Sequence, residues 1–320
     1  MDSTVSEAHL SKSVFIATLR NPNYAKLLTG QVIAAFGDRI NQTALLSIIV
    51  YETHQIIKHS ADIMFWAVMP SVALGLFAVA LIDRWNRQKT MVVSDTVRAI
   101  LAASLPVLWF YMPHHYTIYT IAFLIGTFGA LFAPCRLAII PNLVPPELLM
   151  SANAIASQAG TVATLIAMPI SGWIVESFGR NMSFSINAIT YLISAMFVLR
   201  LKPFGNTLAA TPSIEVHRSH PLDDFRSGIK YIWKTPSILF YVVFTGVTQC
   251  LVAIFFVCFL GYGVDVISQK TDQKILITTL LFGALGAGMV IGALWLGRYS
   301  KLAERFLWPM IMMGCAGVGI

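Results

Sequence analysis

A series of long apolar runs, each about as long as a bilayer's hydrocarbon core is thick, constrains this chain more than any other feature. A membrane-crossing helix needs about 20 largely apolar residues. Runs of that kind fall at 26–51, 62–82, 90–111, 117–139, 151–174, 183–201, 236–260 and 275–297, and a further one begins at Phe306 and runs to Ile320. In hydrocarbon every backbone N–H and C=O must be satisfied internally, which for runs of this length means helix. Composition agrees, with 57% of residues hydrophobic and 12% charged, where soluble domains carry about 25% charge. The expected class is an all-α polytopic membrane protein.

The basic excess, 22 Lys and Arg against 15 Asp and Glu, would suit nucleic acid if it were clustered. It is instead sorted by the spans. With the N-terminus inside, sixteen of the 22 fall on the cytoplasmic side. Lys58, Arg180, Lys270 and Lys274 fall outside, and Arg39 and Arg98 lie within helices. That is the positive-inside bias. It predicts no nucleic-acid partner, a lipid-bilayer setting and a cytoplasmic N-terminus. The four cysteines show no CxxC spacing, the seven histidines sit in polar segments, and no Walker loop occurs. No metal, cofactor or enzymatic activity is therefore expected.

The spans divide the chain. Residues 1–25 form a cytoplasmic segment without the order of a signal peptide. Residues 26–201 form a six-helix bundle, 202–235 a cytoplasmic linker, and 236–320 two full spans and part of a third. Within the linker, PLDDFRSGIKYIWKTP has Leu222, Phe225, Ile229 and Trp233 at helical spacing, which predicts an amphipathic surface helix. LLTGQV near Gly30 and VFTGVT near Gly246 hint at a parallel repeat of the two halves, a transporter pattern. In the last full span, Ala284, Gly288 and Gly292 have the spacing of a small-residue packing seam.

Charge inside the spans carries the functional signal. The first run, GQVIAAFGDRINQ, places Gln31, Asp38 and Asn41/Gln42 on one helical face. A charge at mid-membrane costs about 2.5–3.5 kcal/mol on insertion scales, so such groups mark ion or substrate paths. Asp38 and Arg39 point about 100° apart, so one should face a cavity and the other a neighbouring helix or the cavity wall. The turn ALIDRWNRQK brings together Asp83, Arg84 and Arg87, and Asp95 and Arg98 share a face of the next helix. Arg136 ends the fourth span before a rigid elbow at Pro141, Pro145 and Pro146, and the fifth carries Asn153 and Gln158.

These segments together resemble the drug-efflux and siderophore-exporter branch of the major facilitator superfamily, the group of macrolide-efflux permeases and the enterobactin exporter. The likeness rests on Gly37-Asp38, Asp83-Arg84-x-x-Arg87 with Ser94-Asp95-x-x-Arg98, Pro134-x-Arg136 leading to Pro141-x-Leu143-Val144-Pro145, and Ser151-Ala152-Asn153-Ala154. It implies a major facilitator fold, here with an incomplete C-terminal bundle, in a bacterial inner membrane. It also implies a monomeric, proton-coupled exporter of a small amphipathic molecule working by alternating access. On it, Asp38 and Arg39 would couple protons and substrate. Asp83, Arg84, Arg87, Asp95, Arg98 and Arg136 would form a cytoplasmic gate, and Pro169 with Gly172 a kink. Gln31, Phe36, Asn41, Gln42, Trp66, Asn153, Gln158 and Gln249 would line the cavity. Val79 and Asn86 stand where the family has glycines. Two other readings are a lysophospholipid flippase, which shares Phe-Gly-Asp and the fourth-helix Pro-x-Arg, and a truncated membrane protein without transport.

Overall fold

The structure, a computed structural model, describes residues 15–52, 56–82, 85–202, 230–262 and 274–298. No strand occurs among the described residues. The long helices are α1 (Pro22–Glu52), α2 (Ile56–Ile82), α3 (Arg87–Tyr111), α4 (His115–Ile139), α5 (Leu149–Leu199), α6 (Pro236–Tyr262) and α7 (Lys274–Arg298). Each contains one predicted span except α5, which holds the fifth and sixth. Of the predicted linker helix, residues 230–234 are helical; the rest of that segment and the run from Phe306 lie outside the described residues.

Local chemistry sets the helix ends. The Asn21 carboxamide oxygen accepts from the Asn23 and Tyr24 amides at 3.0 and 3.1 Å, and its nitrogen donates to the Leu143 carbonyl at 2.8 Å. Asn86 caps α3 by accepting from the Lys89 amide at 3.0 Å, a role asparagine fills better than the family's glycine. Between α4 and α5 the proline elbow forms two 3-10 turns, Ile140–Asn142 and Pro146–Leu148.

The polar stretch expected to separate the fifth and sixth spans is largely helical, and the chain reverses at one residue. Gly179 has φ 78° and ψ 165°, a conformation open essentially to glycine. The contacts on either side establish the reversal. Tyr24 and Thr43 of α1 meet Ala152 and Ser171 in parallel order, whereas Gly30 and Gly37 meet Ser194 and Thr190 in antiparallel order. The two arms of α5 are therefore antiparallel to each other. Similar orderings make α2 parallel to α4 (Asp62 to Tyr119, Ala67 to Gly126) and α3 antiparallel to α4 (Arg87 to Ala138, Trp109 to His115). The result is an up-and-down bundle with Lys26, Arg87, Lys89, Arg136, Arg200 and Lys202 toward one end.

The core is layered along the bundle. Near the Arg87 end, Tyr24, Leu27, Met91, Ile139, Leu143 and Val198 pack together. Toward the opposite end, Leu45, Ile48, Leu105, Trp109, Ile118 and Phe184 form a second layer. Between them lies a thin layer of Ala34, Ala99, Ala102 and Ala188 around Tyr191. Small side chains let α1, α3 and the second arm of α5 approach closely there. Gly37 is buried in this layer, and any Cβ on it would overlap Thr190 and Asn187.

Helix α7 packs against the first arm of α5, with Gly283 on Pro169, Gly286 on Leu165 and Thr279 on Gly172. The face that meets α5 is not the predicted seam: Ala284 and Gly288 are exposed, and the surroundings of Gly292 lie outside the described residues. Gly283 and Gly286 lie on another face of the helix, and the partner's shape selects it. Glu176 ties this end together, accepting from the Tyr51 hydroxyl at 2.9 Å and from the Ile275 amide at 3.0 Å.

Candidate functional site

The alanine layer encloses a polar network. The Tyr191 hydroxyl donates to Asp38 Oδ1, and Arg98 pairs with Asp95. The Ser194 hydroxyl donates to Asp95 Oδ2 at 2.6 Å. The Arg98 guanidinium lies 4.4 Å from the centroid of the Tyr191 ring and 4.9 Å from that of Phe132, a geometry in which ring quadrupoles stabilise a desolvated cation. Asp95 and Arg98 are both buried. Four elements supply the network: α1 brings Asp38, α3 brings Asp95 and Arg98, α4 brings Phe132 and α5 brings Tyr191 and Ser194. Asp95 and Arg98 thus sit beside Asp38 in mid-bundle, apart from Arg87.

Against this network lies a cavity of about 430 Å³, within the usual size range of small-molecule pockets. Asp38, Arg39, Asn41, Gln42, Arg98 and Tyr191 contribute polar wall, and Leu45, Ile63, Met64, Ile125, Met168 and Phe282 apolar wall. Both members of the Asp38–Arg39 pair reach it, in different directions: Asp38 turns to Tyr191, and Arg39 Nη1 donates to Gln42 Oε1 at 2.6 Å. Four buried polar atoms on this wall, Arg39 Nε, Asn41 Oδ1, Ser60 Oγ and Arg98 Nε, have no protein partner among the described residues. Buried polar atoms without protein partners are where water or ligand atoms bind.

The other predicted residues fall elsewhere. Gln31 and Phe36 are half-buried on α1 outside the cavity wall. Trp66 packs edge-on against Phe65 and Phe123 at 5.5 and 6.0 Å. Asn153 and Gln158 are exposed on α5, with Asn153 donating to the Leu149 carbonyl at 3.1 Å. Gln249 is on α6, and its side chain, like all of Asp83 and Arg84, lies outside the described residues. At the Arg87 end, Arg87 Nη1 donates to the Ala138 carbonyl at 2.8 Å, and Gln88 reaches the carbonyls of Val198, Leu199 and Leu201 at 2.9–3.2 Å. Arg136 is half-buried near Tyr24, whose hydroxyl donates to the Ala152 carbonyl at 2.7 Å. Pro169 and Gly172 keep helical backbone; the break is at Gly179.

Tyr191 is a site residue that the sequence alone does not single out. Its signal was Ser194, three residues on and therefore on the same helical face. The histidines, which the sequence places in polar segments, make specific contacts at the opposite end of the bundle. His59 stacks on His115 with ring centroids 4.2 Å apart, and its Nδ1 lies 2.6 Å from the Tyr119 hydroxyl, which donates to Asp62 at 3.2 Å.

Known proteins bear on this arrangement. A Bacillus subtilis (strain 168) protein named as a bacilysin exporter, BacE, is 29% identical over 232 residues, 72% of this chain and 55% of that protein. Macrolide efflux protein A of Streptococcus pyogenes is 21% identical over 286 residues, 87% of this chain and 67% of that protein. The chain spans about half the length of the bacilysin-exporter relatives it matches. A crystal structure of a D-xylose-proton symporter shares the fold, with a TM-score of 0.56 at 15% identity over 88% of this chain and 69% of that one. The family model described as Major Facilitator Superfamily matches residues 27–320, and with apolar helices bundled around a polar, cavity-lining core, this multi-pass membrane chain belongs to that superfamily.

Proposed function

We propose that this protein is a secondary active transporter that exports a small amphipathic molecule in exchange for protons, by alternating access. The observation that carries the reading is the buried Asp38–Tyr191–Arg98–Asp95 network on the cavity wall. One guanidinium stands against two carboxylates there, paired with Asp95 and separated from Asp38 by Tyr191, so the fully ionised network holds one net negative charge in a region of low dielectric. One proton neutralises it. Such a cluster exchanges a proton at little solvation cost, and each protonation state favours a different packing of α1, α3 and α5. The relatives named for export support the direction of transport. Lys and Arg gathered at the Arg87 end support a cytoplasmic N-terminus in a bacterial inner membrane. Arg87, by holding the α4 carbonyl, would fix that end as alternating access opens and closes it, and the protein would act as a monomer.

The test is efflux of a substrate panel, macrolides and siderophores included, from cells expressing the complete reading frame. Wild type should lower accumulation of at least one compound, a protonophore should abolish the difference, and Asp38→Asn should abolish it equally. Efflux that persists unchanged in Asp38→Asn, or with the gradient collapsed, overturns the reading.

A further inference from the structure

We infer that Arg39 is the anchor for an oxyanion on the transported molecule, a carboxylate or phosphate borne by an apolar body. The inference rests on the transporter reading above for its context and on the charges lining the cavity for its substance. Among the described residues the wall carries two cations, Arg39 and Arg98. Arg98 is occupied: it pairs with Asp95, lies between two aromatic rings and faces Asp38 through Tyr191. Arg39 is placed differently. It has no carboxylate within ion-pairing distance among the described residues. It spends one N–H on the neutral amide oxygen of Gln42 and leaves Nε buried without a partner.

Asp38, its chain neighbour, is held by the Tyr191 hydroxyl toward α5. A helix turns about 100° between neighbours, so the carboxylate that could have neutralised Arg39 is turned to another partner. The cavity therefore presents one guanidinium whose planar fork of N–H donors suits an oxyanion. Asn41 Oδ1 and Ser60 Oγ are also without protein partners on the same wall, and they suit a donor group elsewhere on the ligand. Leu45, Ile63, Met64, Ile125 and Phe282 suit its apolar body. A molecule lacking the oxyanion would leave Arg39 desolvated and uncompensated, which is the source of selectivity.

The experiment uses the full chain, purified in lipid nanodiscs, and three fluorescent probes that carry the same dansyl group: N-dansylphenylalanine, its neutral amide, which shares the whole apolar body, and the cationic dansylcadaverine. The acid should bind at least about tenfold more tightly than the amide, and more tightly still than the cation. Arg39→Gln should weaken the acid by about tenfold while changing the amide less than about twofold, which also reports a folded cavity. Arg39→Lys should keep most of the preference. Lysophosphatidylglycerol as competitor separates the two oxyanion sources. Displacing the acid at lower concentration than free carboxylates do assigns the site to a lipid phosphate; failing to displace it assigns the site to carboxylates. Equal binding of acid and amide, binding of neither, or an acid preference that survives Arg39→Gln overturns the inference. Acid binding lost in Arg39→Gln but without counterflow in proteoliposomes would leave the anchor standing and overturn the transport reading instead.

Discussion

Tyr191 serves two charges at once, giving its hydroxyl to Asp38 and the face of its ring to Arg98. Tyr191→Phe removes the first service and keeps the second. Loss of a hydrogen bond to a charged acceptor should lower stability by about 1.5–3 kcal/mol, seen as a lower Tm of the purified protein. Combined with Asp38→Asn the two losses should be strongly non-additive; additive effects would mean that the hydroxyl and the carboxylate do not act on each other. At the opposite end of the bundle, burial holds His59 below its ordinary value, and the neighbouring His115 adds to this, while Asp62 opposes it and Lys58 reinforces it. Tyr119 also faces it. A histidine so depressed contributes stability above the ordinary value and loses it as pH falls through the folded one. The wild-type Tm should therefore fall more than that of His59→Gln as pH drops below about 6.5, and parallel curves would exclude the effect.

At the scale of elements, two glycines decide how helices meet. Gly179 makes one long helix into two antiparallel arms. Gly179→Ala places a Cβ where φ is positive and should cost about 1–3 kcal/mol, again read as Tm; an unchanged Tm would mean that the reversal does not depend on glycine. Gly37 lets α1 touch the second arm of α5, and a methyl there overlaps Thr190 and Asn187. Gly37→Ala should lose about 1–3 kcal/mol by overpacking, and Thr190→Ala beside it should restore part of that; no rescue would locate the strain elsewhere. Gln88 illustrates a third device, one side-chain amide serving three carbonyls at the end of α5.

For the molecule as a whole, the up-and-down order of α1–α5 places Lys58 and Lys89 at opposite ends of the bundle. A maleimide that does not cross membranes should label Lys58→Cys from outside the cell and Lys89→Cys only after lysis. Labelling of both from one side would contradict this placement across the bilayer.

The spans were legible from sequence because hydrocarbon imposes a one-dimensional rule: length and apolarity along the chain suffice to place a helix. Each predicted span from 26–51 to 275–297 coincides with an observed helix, the sixth overrunning the end of α5 at Leu199 by two residues. That Asp38, Arg39, Asp95 and Arg98 put charge inside the bundle was legible for the same reason, since a charge in a span is conspicuous wherever it points. Partnership was not legible. Gln31, Phe36, Asn153 and Gln158 sit at helical positions as reasonable as those of Asn41 and Gln42, yet only the latter pair lines the cavity. The faces that meet depend on where small residues let backbones approach, and that is a property of two surfaces together. By itself the sequence determined a bundle of membrane helices with buried charge. The pairing of Asp95 with Arg98 was already in their i,i+3 spacing; only the tertiary structure decided that Asp38 belongs to Tyr191, that Ser194 and Phe132 join the pair, and that Arg39 is left facing the cavity, because contact between helices is something no spacing along one chain encodes.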